Sequence, residues 1–199
     1  MKASFFTLKI RIIIVLTTIL LINSCKNNTV EFKYTNKEDI FLCESVNMAL
    51  IKEALYSFEE DIKNNYPFKE PYSTLNGYAT YWSTMTSDRL PKKEAISVYI
   101  IALFKLLKED KELWNTSGDK VTLNYNGKLM QCIGENLKDE GFKITFNALL
   151  ETNSFKSKLF APIINRKVSK IVNDKTLATY IALDLFYAKL FEMDFTEIE

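Results

Sequence analysis

Few residue types in this chain could carry out chemistry, and one common catalytic type is missing. The 199 residues include three cysteines and no histidine. Without an imidazole, Ser-His and Cys-His nucleophile pairs, His-assisted zinc sites and histidine acid–base catalysis are excluded. Any catalysis would have to rest on carboxylates, tyrosine or lysine. We identify no catalytic residue and expect no metal and no cofactor.

Acidic residues are most concentrated at Glu59, Glu60 and Asp61. These three could suggest a metal site or an acid–base site. They fall in a predicted helix, where consecutive residues point about 100° apart, so the three carboxylates cannot converge on one ion. We therefore interpret them as a solvated helix face.

Asp184 stands out because it is the only charged residue between Lys175 and Lys189. Tyr180 and Tyr187 lie four residues before it and three after it, on the same helical stripe. Asp184 could be a buried acid with a raised pKa, which is a feature of functional sites. It could instead accept hydrogen bonds from tyrosine hydroxyls at the edge of the core, and we favour this second interpretation.

Aromatic residues are dense between residues 66 and 82. Three of them, Tyr78, Tyr81 and Trp82, are candidate ligand-binding residues, because aromatic rings stack on sugars and peptides. The alternative is that they fill the core and its interfaces. We expect changes at Tyr78 or Trp82 to affect ligand binding more than changes at Glu59 or Glu60.

The first 25 residues have the pattern of an export signal. Lys2, Lys9 and Arg11 precede an apolar stretch at 12–22, which ends at Ser24-Cys25. That stretch is too short for the roughly 20 residues that a membrane-spanning helix needs. A basic start, a short apolar stretch and a small residue before the boundary are typical of a cleaved signal peptide.

The stretch Ile22-Asn23-Ser24-Cys25 resembles the lipobox of bacterial lipoproteins. The resemblance implies cleavage before Cys25, lipidation of its thiol with diacylglycerol and usually acylation of the new amine. Two or more acyl chains anchor a protein stably to a membrane. The resemblance therefore predicts a cell-envelope protein attached through Cys25, at the periplasmic face of an outer membrane. Ordinary secretion with Cys25 as a free thiol, and an uncleaved anchor, are the alternatives.

Cys43 and Cys132 are the two cysteines that remain if Cys25 is lipidated. An exported chain meets an oxidising compartment, in which an even pair of cysteines is typical of a disulfide. Two buried, reduced thiols are the alternative. Cα atoms more than about 7 Å apart would exclude the bridge without movement of the backbone.

Composition indicates one soluble domain without a nucleic-acid footprint. Removal of residues 1–24 takes away three basic residues and no acidic one, which changes the formal net charge from +1 to −2. Nucleic-acid binding would need a basic face. The length suits one domain with one core. Five glycines and four prolines are few for an all-β protein, which needs many tight turns.

Apolar residues recur at helical spacing along most of the mature chain, which predicts an all-α bundle of six to seven amphipathic helices over residues 39–199. We interpret 26–38 as a polar tether, or a short docked strand at Val30, Phe32 and Tyr34. A third helix, opened by Pro91, is apolar nearly all round at 96–107 and is predicted to be central. The other helices are predicted at 39–64, 73–86, 126–139, 142–150, 155–171 with a kink at Pro162, and 175–193.

These observations favour a binding, scaffold or interaction module of the cell envelope with an unknown ligand. An immunity or inhibitor protein belongs to this class. Its expected partners are the membrane, through lipid on Cys25, and an envelope protein or glycan, with no nucleic acid. The alternative is a carboxylate-based hydrolase of envelope glycans, which would need two acids about 5–10 Å apart. No such isolated pair is apparent in the sequence.

Overall fold

Helices make up almost all the regular structure of this protein. The computed structural model describes residues 30–196, except residues 68 and 88 and the side chain of Ser83. Within that part there are eight α-helices and one pair of two-residue strands. The prediction of an all-α domain is confirmed.

The elements follow one another through short connections. In chain order the helices are α1 Met48–Asn65, α2 Ser73–Thr86, α3 Val98–Glu109, α4 Lys128–Asn136, α5 Glu140–Glu151, α6 Ser157–Asn165, α7 Ser169–Asn173 and α8 Lys175–Leu185. Short 3₁₀ segments cover Lys93–Ala95 and Tyr187–Glu192. Strands β1 Trp114–Asn115 and β2 Thr122–Leu123 lie between α3 and α4 and pair antiparallel.

Helix α8 is the centre of the domain. Every residue from Thr176 to Leu185 is buried, and the helix packs against α1, α2, α4, α7 and β2. Asp174 caps its first turn by accepting hydrogen bonds from the backbone N–H groups of Thr176 and Leu177, both at 3.1 Å. This cap satisfies backbone donors that the first turn of a helix leaves unpaired.

The prediction that residues 96–107 form the central helix is wrong. Helix α3 starts after Ser97, whose hydroxyl accepts a hydrogen bond from the Ile100 N–H at 3.3 Å. It packs on α1, and Val98 at its outer end is 67% exposed. A short helix with few polar residues need not be surrounded, because scattered apolar side chains are common on protein surfaces.

Helix α1 begins at Met48 rather than near residue 39. The Asn47 side chain caps it by accepting a hydrogen bond from the Leu50 N–H at 3.2 Å. Ser45 has a φ of 68°, in the left-handed region, so a right-handed helix cannot pass through it. Residues 39–46 are therefore an irregular segment that leads into α1.

The interpretation of residues 26–38 as a tether is wrong from Phe32 onward, where the compact unit begins. Glu53 of α1 is 1% exposed, and its two carboxylate oxygens accept hydrogen bonds from the backbone N–H groups of Lys33 at 2.7 Å and Tyr34 at 2.9 Å. A buried carboxylate needs such donors to offset its lost hydration. Residues 30–38 contain no strand, so the alternative of a docked strand is also wrong.

Trp114 and Asn115 pair with β2, and α4 then starts at Lys128, within the predicted 126–139. The single helix predicted over 155–171 is two helices, α6 and α7. Pro162 lies inside α6 and removes one backbone donor from it, and α6 ends three residues later.

Cys43 and Cys132 form a disulfide in the structure, with their Cα atoms 5.7 Å apart. This separation is inside the limit of about 7 Å for a bridge that needs no backbone movement. The bridge joins the segment before α1 to α4, across 89 positions of sequence. Both residues are buried, with exposures of 7% and 4%.

Among the described residues, none of the helices combines the length and the apolar character that crossing a bilayer requires. The predicted signal and Cys25 lie outside the described residues.

Candidate functional site

Three separate segments of the chain meet around the carboxylate of Asp184. Helix α8 places Asp184 near its C-terminal end, where the residue is 6% exposed. The Oδ1 atom accepts hydrogen bonds from the Leu123 N–H and the Tyr125 hydroxyl, both at 3.1 Å. The hydroxyl of Ser157, the first residue of α6, donates to Oδ2. The carboxylate therefore fastens β2 and the start of α6 to the central helix.

Burial raises the pKa of the Asp184 carboxyl above its ordinary value, while the hydrogen bonds from Ser157 and from the Leu123 N–H act in the opposite direction. Burial also raises the pKa of Tyr125, and the nearby Asp184 charge raises it further. The Tyr180 hydroxyl is buried beside this cluster, and burial and the nearby Asp184 charge raise its pKa. The cluster therefore lies at the edge of the core, with Asp184 buried and Tyr125 and Ser157 half-buried.

Of the two tyrosines that the sequence suggested as donors to Asp184, Tyr180 lies beside the carboxylate and Tyr187 donates elsewhere. Tyr187 is fully buried, and its hydroxyl donates to the Ala54 carbonyl at 3.2 Å instead. Tyr180 is close enough to lower the pKa of the Asp184 carboxyl, and Tyr125 donates a hydrogen bond to it at 3.1 Å. Helical spacing identified neighbours along α8, but Tyr125 comes from a different segment that sequence spacing could not connect to Asp184. Asp184 therefore does accept a tyrosine hydroxyl, and it is also buried with a raised pKa.

A cavity of about 280 Å³ opens beside this cluster, and we call it the Asp184 pocket. Its apolar wall is formed by Met85, Leu90, Val121, Ala161, Leu185 and Ala188. Asp184, Ser157 and Tyr125 supply polar atoms to the same cavity. An apolar wall with a few converging polar groups is the usual composition of a small-molecule site.

The remaining lining of the Asp184 pocket is rich in lysine. Lys120, Lys156 and Lys158 are exposed residues that line it. Glu192 is an exposed acid in the same lining, with its carboxylate 3.9 Å from the Lys120 ammonium. These exposed groups carry an excess of positive charge, so they would favour a ligand with a negative group.

Lys189 fixes one wall of the Asp184 pocket. Its ammonium donates hydrogen bonds to the backbone carbonyls of Thr84 at 2.5 Å, Ser87 at 2.8 Å and Arg89 at 3.1 Å. Thr84 lies in the last turn of α2, and Ser87 and Arg89 follow the helix. Carbonyls in the last turn of a helix have no intrahelical N–H donor, and the lysine supplies one for Thr84. The lysine therefore holds the segment that presents Leu90 to the pocket.

The three aromatic residues proposed from the sequence are buried in the core, and Tyr81 also lines a separate cavity of about 170 Å³. Tyr78, Tyr81 and Trp82 are 0%, 5% and 8% exposed. The Tyr78 hydroxyl donates to Oε1 of Glu59 at 3.1 Å, and the Tyr78 and Tyr81 rings pack edge-on against Phe58. The structure matches the alternative interpretation, in which these rings fill the core. None of the three lines the Asp184 pocket, although Met85 on the same helix does.

The interpretation of residues 59–61 as a solvated face is wrong for Glu59 and only partly right for Asp61. Glu59 is 6% exposed, and the Lys175 ammonium lies 2.7 Å from both of its carboxylate oxygens. Asp61 is half-buried and accepts a hydrogen bond from the Ser97 N–H at 2.8 Å. Only Glu60 is exposed. The three side chains do point in different directions, as helix geometry requires.

Both acids in the lining of the Asp184 pocket already have partners. Asp184 is already held by three donors, and the second acid in the lining, Glu192, is exposed and lies beside Lys120. No group of three or more acidic or cysteine residues suited to a metal ion occurs within the described ranges. Comparison of the chain with protein-family models, with curated proteins and with solved structures found no match.

Proposed function

We propose that this protein is a lipid-anchored cell-envelope lipoprotein that binds a small amphiphilic ligand in the Asp184 pocket. The main observation in support is that one cavity of about 280 Å³ combines an apolar wall, the Asp184 carboxylate with its donors, and exposed lysines. The apolar wall suits an apolar ligand body. The lysines Lys120, Lys156 and Lys158 suit a negatively charged end group.

The anchor is the part of the proposal that rests on the sequence. The Ile22–Cys25 stretch resembles a lipobox, and the chain before it has the basic and apolar parts of a signal peptide. We propose that the mature protein begins at lipidated Cys25 and is held at the periplasmic face of an outer membrane. The domain then presents the Asp184 pocket to the periplasm.

Replacement of Cys25 by Ser is expected to abolish lipidation and membrane attachment. Labelled palmitate should enter the wild-type protein when it is made in bacteria, and it should not enter the Cys25→Ser variant. The control is Cys132→Ser, which removes a different cysteine and should keep the label. Equal labelling of the wild type and Cys25→Ser would refute the anchor, as would a wild-type protein that stays soluble after lysis.

Ligand binding can be tested with 8-anilinonaphthalene-1-sulfonate, a fluorescent probe with an aromatic body and one negative group. The wild-type protein should bind it saturably. Ala161 lines the Asp184 pocket, so Ala161→Phe should fill the cavity and weaken binding by roughly tenfold or more, the equivalent of about 1.4 kcal/mol. Ala148→Phe is the matched control, because Ala148 is exposed on α5 and does not line this pocket.

The result for these two variants is read together with their far-ultraviolet circular dichroism, which should match that of the wild type. Equal probe binding by the wild type and by a folded Ala161→Phe variant would show that the probe does not occupy the Asp184 pocket. Loss of binding in Ala148→Phe as well would point to a nonspecific effect of the added ring.

A carboxylate-based hydrolase of envelope glycans has less support. Such enzymes use two acids that flank the scissile bond, one of them free to donate a proton and the other free to act as a base or nucleophile. The two carboxylate oxygens of Glu59 accept hydrogen bonds from Lys175, and those of Asp184 accept from Tyr125 and Ser157. Incubation with peptidoglycan fragments separates the two functions, since turnover would support the hydrolase and saturable binding without turnover would support the binding module.

A further inference from the structure

The segment before α1 carries an unusually exposed apolar residue. Leu42 is 88% exposed, the highest value for a large apolar side chain in the part of the chain that the structure describes. It lines a cavity of about 290 Å³ together with Phe32, Ile40, Phe41 and Met48. We call these five residues the Leu42 patch. Single exposed apolar residues are common, but here several apolar side chains surround one cavity.

The backbone holds Leu42 in this exposed position. Phe41 and Cys43 on either side of it are buried, with exposures of 9% and 7%, and Cys43 is bonded to Cys132 of α4. With both of its chain neighbours buried and Cys43 bonded to α4, Leu42 is left on the outer side of this segment. An outward leucine leaves apolar surface in water, which is unfavourable.

The chain length between the lipid and the Leu42 patch is short. Phe32 belongs to the patch, and the next residues are fixed to α1 by the Glu53 hydrogen bonds. Seven residue steps separate Phe32 from Cys25, which reach at most about 25 Å at roughly 3.3–3.6 Å per residue. A free tether that extended to residue 38 would have a maximum length nearly twice as great. Lipid on Cys25 would therefore keep the patch close to the bilayer surface.

The charges around the patch favour an apolar contact over an electrostatic one. Lys52 lines the cavity, but its ammonium is held by the carbonyls of Thr35 and Lys37 and by the Asp39 carboxylate, at 2.8–3.0 Å. Residues 31–44 contain four acidic and two basic residues. Anionic lipid headgroups attract basic segments. This segment is acidic, so electrostatic attraction to such headgroups is not expected.

We propose that the Leu42 patch lies against the lipid bilayer, with Leu42 inserted into the interfacial region, an inference that rests on the proposed lipidation of Cys25. The occupant is the apolar boundary of a zwitterionic bilayer. Insertion removes the exposed leucine from water and fixes the orientation of the domain on the membrane. Contact through apolar groups makes the insertion insensitive to salt, unlike the binding of a basic segment.

The test uses the full lipidated protein in phosphatidylcholine vesicles whose acyl chains carry bromine, a quencher of tryptophan fluorescence. Leu42→Trp places the reporter in the patch, and Leu159→Trp is the matched control. Leu159 is also exposed, at 52%, but lies on α6, which packs against α2 and α5. The natural residues Trp82 and Trp114 are buried, and the wild-type protein measures their contribution.

The added tryptophan of Leu42→Trp should lose most of its fluorescence in brominated vesicles, at low and high salt alike, and that of Leu159→Trp should not. Palmitate labelling and flotation with the vesicles are measured on the same samples. If the Leu42→Trp protein is labelled and floats, but its added tryptophan is not quenched, this inference is overturned and the anchor is left standing. Quenching in both variants also overturns it. An unlabelled protein overturns the anchor and this inference together.

Discussion

Reduction of the Cys43–Cys132 disulfide is expected to lower the free energy of unfolding by about 4–5 kcal/mol. The bridge spans 89 positions of sequence. In the chain-entropy model, closing a loop of this length lowers the conformational entropy of the unfolded chain enough to stabilise the folded state by that amount. Domains are stable by only about 5–15 kcal/mol, so this is a large share of the total. The reduced protein is expected to unfold at a much lower concentration of urea.

The measurement is urea denaturation of a protein produced from residue 26 onward, with and without dithiothreitol. The control is the double variant Cys43→Ala, Cys132→Ala, which should be as unstable as the reduced protein and should not respond to the reductant. Thiol counting on the denatured, unreduced protein should find no free cysteine. Two free thiols there would contradict the bridge.

Replacement of Lys175 by Met is expected to lower the free energy of unfolding by about 2–3 kcal/mol. The Glu59 carboxylate is buried, and both of its oxygens lie 2.7 Å from the Lys175 ammonium. Removing the ammonium leaves a buried carboxylate whose one remaining donor among the described residues is the Tyr78 hydroxyl. Breaking a fully buried pair costs about 3–5 kcal/mol, and a lower value is expected because a quarter of the Lys175 side chain is exposed.

The matched control is Lys63→Met. Lys63 pairs with Glu70 at 2.9 Å, but both side chains are exposed, at 37% and 67%. An exposed pair contributes under about 1 kcal/mol, so this variant should be close to the wild type. The double variant Glu59→Leu, Lys175→Met should regain much of the lost stability, because no uncompensated charge remains. Equal losses for Lys63→Met and Lys175→Met would show that burial of Glu59 does not matter.

Apolar periodicity was enough to predict the helical fold, because a helix on a protein core buries one face and so repeats apolar residues every three to four positions. It could not locate the beginning of α1, which depends on the Asn47 cap and on the left-handed backbone at Ser45. It also misplaced the central helix. Residues 96–107 and α8 are both apolar nearly all round, and only the packing of the other helices decides which of them lies in the middle.

The acidic residues were harder to interpret, because burial of a charge depends on partners that are distant in sequence. Glu59 was interpreted as part of a solvated helix face, and Glu53 was not singled out. Glu53 is buried because backbone N–H groups of the segment before α1 reach it, and Glu59 because Lys175 does, 116 positions away. Asp184 was singled out from sequence because no other charge lies near it in α8. Its donors Leu123, Tyr125 and Ser157 lie 61, 59 and 27 positions away.

The same distances bear on when the Asp184 cluster can form during folding. Its donors and its acceptor are contributed by three segments that are far apart in the chain, so its contacts raise the contact order of the domain. Contacts of this kind close large loops and are expected after the local helices have formed. A chain that ends before Asp184 would lack the acceptor altogether. Occupation of the adjacent pocket would therefore report a completely folded chain, and nascent or truncated forms would leave a ligand unbound.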